Sequence, residues 1–511
     1  WDLGCLKTAT TPWVPQEGQQ AILAAERPAE TLHTIAGIAP DSSHYAARAG
    51  SQVLVETSMD GEAWYDCGQL PEGYVFCWKQ FPLAVPGKYV RLTAPDGSIA
   101  LNEAALSDSG GLLAVTAQGP GAEALIDEQQ AVPLVTTYQN STYFDEIYHA
   151  RTAYEHLQGL EPYENTHPPL GKYIIALGIQ LFGMGPFGWR FMGALFGVLM
   201  LPVFYWLCKL LFGKTWLCAG GTSLFAFDFM HFTQTRIATI DTYAVFFLIV
   251  MYACMALFLR QDTRHGSWPR LLVPLGLCGL FMGLGASAKW TCCYGAAGLA
   301  VLYFGKLAAD LLQEKKQGRS LRPALLRAMK LCGWCCLFFV AVPFAVYFCC
   351  YLPITTLPHN VGNVWGNFWN YQTNMFNYHS QLQAEHYFAS PWYEWPVDWR
   401  PIWYFAGGSG GTYSTISAMG SPLLWWAGLL ALPLAGALLL RGRRAGCAVL
   451  LAGYLSVYLP WVLVPRLTFI YHYFTAVPFL VLALLAAADW AAGTKPLSRP
   501  IRLGTGKDCA P

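Results

Sequence analysis

Three runs close together decide the reading of this chain: Tyr143-Phe144-Asp145-Glu146-Ile147-Tyr148-His149, then Thr166-His167-Pro168-Pro169-Leu170-Gly171-Lys172, then Phe187-Gly188-Trp189-Arg190 at the head of a long apolar run. An acidic pair, a rigid Pro-Pro turn with a lysine, and an arginine all sit at a bilayer boundary. A charge at the centre of a membrane helix costs roughly 2.5–3.5 kcal/mol on insertion scales, so charges gathered at one membrane face need a reason. They point to chemistry on a charged, lipid-linked substrate.

The chain has 511 residues, 54% hydrophobic and only 12% charged, which is a membrane composition. The net charge of +1 provides no broad field for nucleic acid. Nine apolar runs near the length of a bilayer span follow the first 140 or so residues: 187–211, 215–232, 237–259, 271–288, 291–311, 331–352, 421–440, 446–464 and 468–492. Lysine and arginine alternate between the loops. Lys209/Lys214, Arg260/Arg264/Arg270, the basic stretch from Lys306 to Lys330, Arg441/Arg443/Arg444 and the tail fall on one side. The other side carries almost only Arg236, Lys289, Arg400 and Arg466. By the positive-inside rule the acidic pair, the N-terminal region and the 353–420 loop are extracytoplasmic.

The expected organisation is an extracytoplasmic segment at 1–29 after a first helix lying upstream, a β-sandwich at 30–116, a linker at 117–142, a first outer loop with the acidic pair at 143–186, six spans within 187–352, an aromatic outer loop at 353–420, three spans within 421–492, and a cytoplasmic tail at 493–511. Strand-like alternation at Gln52–Ser58, Gly73–Trp78 and Lys88–Thr93, with a Met59-Asp-Gly-Glu turn, carries the sandwich. Those runs together with Leu101-Asn-Glu-Ala-Ala-Leu106 resemble a discoidin or galactose-binding-like domain. Such a domain either binds sugar or caps the membrane part. Cys332, Cys335 and Cys336 imitate a metal spacing, but no histidine completes it, and they read as helix packing. Cys67 and Cys77 lie on adjacent strand-like runs where a disulfide is open.

Asp145 and Glu146 open a helix, where the macrodipole favours acids. Neighbouring helical residues point about 100° apart, so they divide the work, and the general base is assigned to Asp145. Asp241, in Arg236-Ile-Ala-Thr-Ile-Asp241, stabilises a helix start, orients an acceptor or ligates a metal. Lys172, Arg190, Arg236, Lys289 and Arg466 are either snorkelling anchors or, taken together, a phosphate cradle on the side that normally avoids cations. Donor-phosphate contact is assigned to Lys172, Arg190, Arg236 and Arg466. A substrate groove is assigned to His167, Lys289, His386, Trp392, Trp395 and His472.

These motifs, with Ala288-Lys289-Trp290, Ser390-Pro-Trp-Tyr-Glu-Trp-Pro396 and Tyr471-His472-Tyr473, resemble in order the protein O-mannosyltransferase family over about residues 143–485. The resemblance implies a mainly α, polytopic GT-C membrane fold. It also implies inverting transfer of mannose from a polyprenyl phosphate to Ser or Thr hydroxyls of extracytoplasmic proteins. The matching acidic pair is Asp145-Glu146, and the arginine near the family's second span matches Arg190. The 353–420 loop is too short for the β-trefoil of eukaryotic members, which implies a bacterial type. Expected partners are the polyprenyl-phosphate donor, a Ser/Thr acceptor protein and the bilayer, with a dimer allowed. A divalent metal stays open as a cofactor, and no metal ligands are assigned. The alternatives are a GT-C enzyme passing another lipid-linked sugar to a lipid or cell-wall glycan, and a transporter or sugar sensor. The latter would need polar residues midway along helices, and Asp228 is the nearest approach to one.

Overall fold

The computed structural model describes residues 7–38, 53–70, 74–95, 99–358, 360, 362–409, 411–442 and 446–493. Two long strands dominate the N-terminal part, β1 (Gln19–Ala36) and β4 (Trp78–Ala94), with β2 (Leu54–Ser58) and β3 (Tyr65–Gln69) between them in sequence. β5 (Leu101–Asp108), β6 (Gly111–Leu112) and β7 (Val115–Gln118) follow. All seven form one antiparallel sheet, ordered β3-β2-β4-β1-β5-β6, with β7 on the N-terminal half of β1. Two separate facing sheets are not present among the described residues. Instead, register shifts at Ala24/Ala29 and Ala29/Thr31 break the β1–β4 ladder. Ala21, Leu23, Val55, Val90, Leu92, Leu101 and Leu106 then meet in one core. The sheet begins at Gln19 rather than residue 30, and Trp13 already pairs with Leu101. Cys67 and Cys77 are free thiols, so the disulfide left open by their spacing is not formed.

The sheet is joined directly to the membrane part. Thr142 Oγ1 donates to the Phe76 carbonyl (3.2 Å), and the Phe76 ring meets Tyr154 edge-on at 5.1 Å. Tyr154 lies on α1 (Glu146–Gln158), which ends on left-handed Gly159. Pro169 then precedes α2 (Leu170–Phe182), a short apolar helix.

Seven helices or helix runs are long and apolar enough to span. They are α3 (Pro186–Phe212), α6 (Asp241–Leu259), α7 (Trp268–Ala288), α8 (Thr291–Lys316), the run Leu321–Thr355, α12 (Pro422–Leu440), and Ile470–Ala491. The run Leu321–Thr355 contains α9 (Leu321–Cys336), a π-helical turn and α10 (Val342–Thr355). Two expected spans are shorter. The 215–232 run is split into α4 (Thr215–Ala226) and α5 (Phe229–Gln234). Asp228 causes the break: it caps α5 through the Met230 and His231 amides and also accepts from Ser421 N and Trp425 Nε1. The 446–464 run is α13 (Cys447–Tyr458) plus a 3₁₀ turn. The last span ends in α14 (Val477–Ala491). α6 is the hub, with 89% of its apolar window buried against 11% for Leu321–Thr355.

The aromatic loop is ordered rather than irregular. It holds α11 (Val364–Gln381) and a hairpin of β8 (Ile402–Ser409) and β9 (Thr412–Ala418) that packs back over the acidic pair.

Candidate active site

Asp145 is the N-cap of α1, and its carbonyl accepts from the Tyr148 and His149 amides. Its carboxylate is half-buried and has no hydrogen-bond or ion-pair partner among the described residues. The preceding Phe144 has φ +48°, unusual for a bulky side chain, and such strain costs on the order of 1–3 kcal/mol. Tyr404 of β8 stacks on the Phe144 ring at 4.0 Å and holds it there. Burial pushes the Asp145 carboxyl up to about 7, with Asp241 and Glu164 reinforcing the rise and Lys289 opposing it.

Glu146 points elsewhere. It is fully buried and takes Arg190 as a two-point pair, Nε to Oε1 and Nη2 to Oε2, each at 2.7 Å. It also accepts from Ala238 N at 3.0 Å. One carboxylate thereby ties α1 to α3 and to the segment entering α6. Arg190, 2% exposed, spends a further bond on the Ser141 carbonyl. The two side chains are bound to each other, and Arg190 faces Glu146 rather than an open space for a donor phosphate.

Asp241 starts α6, and Lys289 Nζ sits on both its oxygens at 2.8 and 2.9 Å. The lysine occupies the place that a ligated cation would take. Among the described residues, the carboxylate grouping close enough for a metal is Glu103, Asp127 and Glu128, in the sheet unit. There Glu103 accepts from Glu128 N and Gln129, and Glu128 from Thr10 and Thr11, so those oxygens are already used. Among the described residues around Asp145, no three His, Cys, Asp or Glu side chains converge as metal ligands would.

Lys172 is also engaged. Its ammonium, 1% exposed, bonds the Glu164 carboxylate and the carbonyls of Glu164 and His167. Burial favours the protonated form of Glu164, but Lys172, His167 and His149 outweigh it and hold the carboxyl well below its usual range. His167 Nδ1 meets Glu164 at 2.9 Å, and its ring contacts His379 at 5.0 Å. His379 Nε2 donates to the Thr166 carbonyl at 2.7 Å, and burial, aided by His167 and Arg466, pushes its ring down to about 3. The sequence reading passed over Glu164, His379 and Tyr404. For Glu164 a signal existed in a carboxylate three residues before His167; for the other two it did not.

Arg466 is half-buried, and among the described residues its hydrogen bond is a long one, 3.4 Å, to the Leu467 carbonyl. No carboxylate pairs with it among the described residues. Its charge acts on Tyr378 of α11, as does that of Asp145. The remaining groove candidates separate. Trp395 is fully buried, donating to Ser390 and stacked at 5.8 Å on His472, itself 3% exposed. Both are packing groups rather than an open groove. Trp392 packs on Tyr458 at 5.6 Å, and His386 is exposed with its ring 5.1 Å from Phe469. Arg236 lies in a separate cavity with Tyr143 and Arg190.

Residues 184–357 match the family described as dolichyl-phosphate-mannose-protein mannosyltransferase, and residues 364–505 match the C-terminal four-span region of protein O-mannosyltransferase. The chain is 28% identical over 396 residues to the polyprenol-phosphate-mannose–protein mannosyltransferase of Mycobacterium tuberculosis H37Rv, covering 67% of this chain and 74% of that one. The enzyme of the same name from Corynebacterium glutamicum is 26% identical over 377 residues, covering 64% and 71%. Among solved structures, the Saccharomyces cerevisiae protein O-mannosyltransferase Pmt1–Pmt2 complex bound to the sugar donor aligns with a TM-score of 0.58 at 14% identity, over 68% of this chain and 81% of that one.

Proposed function

Because this chain belongs to the protein O-mannosyltransferase family, we propose that it transfers mannose from a polyprenyl-phosphate donor to Ser or Thr hydroxyls of proteins, with Asp145 as general base. It is a multi-pass membrane glycosyltransferase of mainly α, GT-C architecture. The observation that carries the residue assignment is the contrast inside the acidic pair: Glu146 is locked onto Arg190, and Asp145 is left unpaired with a carboxyl near 7. A base poised near working pH both accepts and releases a proton readily.

In the proposed step, the acceptor hydroxyl gives its proton to Asp145 as its oxygen attacks the anomeric carbon. The bond from that carbon to the phosphate oxygen breaks, and its electron pair leaves with the polyprenyl phosphate. Attack opposite the leaving group inverts the configuration. Arg466, a cation with no carboxylate partner among the described residues, takes the growing phosphate charge, and guanidinium geometry suits two phosphate oxygens. Lys289 stays bonded to both oxygens of Asp241, the second carboxylate of the site. Tyr404 and the strained Phe144 hold the base in place.

The reaction side faces away from the basic loops, which by the positive-inside rule is extracytoplasmic. The functional test is to supply membranes containing the full chain with labelled polyprenyl-phosphate mannose and a Ser/Thr-rich acceptor protein. Label is expected on the protein, removable by β-elimination. Label appearing only in lipid or glycan would sink the protein-acceptor reading. A protease site inserted beside Tyr413, 70% exposed in the hairpin, should be cut in intact cells from outside. Cutting only after lysis reverses the orientation.

A further inference from the structure

A second cationic cavity of about 200 Å³ lies on the other side of the Glu146–Arg190 pair, between α5 and the β8–β9 hairpin. Two guanidinium groups border it, and they are in different states. The charge of Arg190 is matched by Glu146. Arg236 has no carboxylate within 4.0 Å among the described residues, and its Nε is buried without an acceptor. Its guanidinium carbon lies 4.8 Å over the Phe232 ring, which supports a cation but does not neutralise it. The cavity therefore holds one uncompensated positive charge next to the hydroxyls of Thr233, Thr415 and Ser417. A buried donor without a partner is costly, and an anion with oxygen acceptors removes that cost.

The surroundings narrow the anion. The short helix that supplies Phe232 (44% exposed) also exposes Phe229 (49%), and Phe227 just before it is 80% exposed. These rings sit in the break of an otherwise apolar run. A cation with hydroxyls on one side and bare phenylalanines on the other matches a molecule with a phosphate head and hydrocarbon tails. The donor's own phosphate is a poorer occupant. None of Asp145, Asp241, Lys289 and Arg466 is among the residues that line the cavity.

We propose that the Arg236 cavity binds the phosphodiester of an anionic phospholipid at the bilayer edge, beside the reaction centre and distinct from the donor site. This binding does not depend on glycosyl transfer. The full chain, reconstituted in nanodiscs of phosphatidylcholine with phosphatidylglycerol and released for native mass spectrometry, tests it. The wild type is expected to keep one phosphatidylglycerol more than either Arg236→Gln or Thr415→Trp. The second variant leaves the cation in place and blocks the cavity from an exposed strand position, so a misfolded Arg236→Gln does not leave the question open. Excess inorganic phosphate should not displace the lipid. Equal retention by the wild type and Thr415→Trp overturns the proposal. Release by inorganic phosphate overturns it too, by marking a site for free phosphate.

Discussion

The two ends of the membrane bundle treat charge in opposite ways. At the basic-loop end, Lys306 pairs with Asp310 at 2.9 Å, and Asp310 also takes the Thr263 amide and hydroxyl. Arg264 joins Asp262 and Glu314, each at 3.0 Å, and Arg264 holds the Asp262 carboxyl down to about 2 against its burial. Each of these carboxylates has a partner, and the cluster fastens the α6–α7 loop to α8. At the other end Glu146–Arg190 and Asp241–Lys289 are closed in the same manner, yet Asp145, Arg466 and, in its own cavity, Arg236 have no ion-pair partner among the described residues. A cluster that only holds helices together completes its ion pairs. A cluster that must receive a proton and a phosphate leaves an acid and cations open.

That contrast breaks first at Asp145. Asp145→Asn is expected to lower turnover about 10²–10⁴-fold, the usual weight of a general base, with the fold intact by circular dichroism. Turnover near wild type would remove Asp145 from the role. Glu146→Gln should act through stability instead. It leaves Arg190 buried without its countercharge, at a cost of roughly 3–5 kcal/mol, read as a lower Tm in detergent. Its counterpart at the opposite end, Arg264→Gln, should cost less stability, about 1–3 kcal/mol, because Asp262 is partly exposed and Glu314 keeps Arg319 at 3.6 Å, and should leave kcat unchanged. A change in kcat there would erase the distinction between the two ends. Arg466→Gln should cost about 10²-fold in kcat, the scale of losing one fixed group facing a developing oxyanion, and Arg466→Lys should recover part of it. Equal loss in both variants would point to packing rather than phosphate charge.

What the sequence made legible follows from physics that acts locally. Bilayer length picked out nine runs, seven of which are helices or helix runs long enough to span, and Asp145 stood out as an acid at a helix start on the side poor in lysine. Long-range pairing was not legible. Nothing near Glu146 announces that its partner is Arg190, 44 residues away, or that Lys289 crosses 48 residues to Asp241. Without those pairs every outer cation looked available for phosphate. The hairpin that brings Tyr404 over Phe144 was hidden too, because its aromatic strands read equally well as membrane-interface residues. Asp228 was visible as an oddity, but its effect, splitting a span into two helices, depends on Ser421 and Trp425 from a distant segment.

The smallest effect concerns the cost of keeping Asp145 open. Its carboxyl is raised from 3.8 to about 7 by folding, so the folded protein binds that proton more tightly than the unfolded chain does. The fold is therefore favoured by acidification from about pH 7 toward the unfolded value near 3.8, and the burial penalty is felt in full above pH 7. Activity runs the other way, since only the deprotonated base accepts a proton, and kcat should climb through pH 7. Asp145→Asn carries no charge to bury. Its Tm should exceed the wild type's at pH 8 and converge with it near pH 4, a difference of a few degrees by differential scanning fluorimetry. If the two proteins melt together at both pH values, the unpaired carboxylate imposes no strain on the fold, and its lack of a partner would no longer distinguish this end of the bundle from the other.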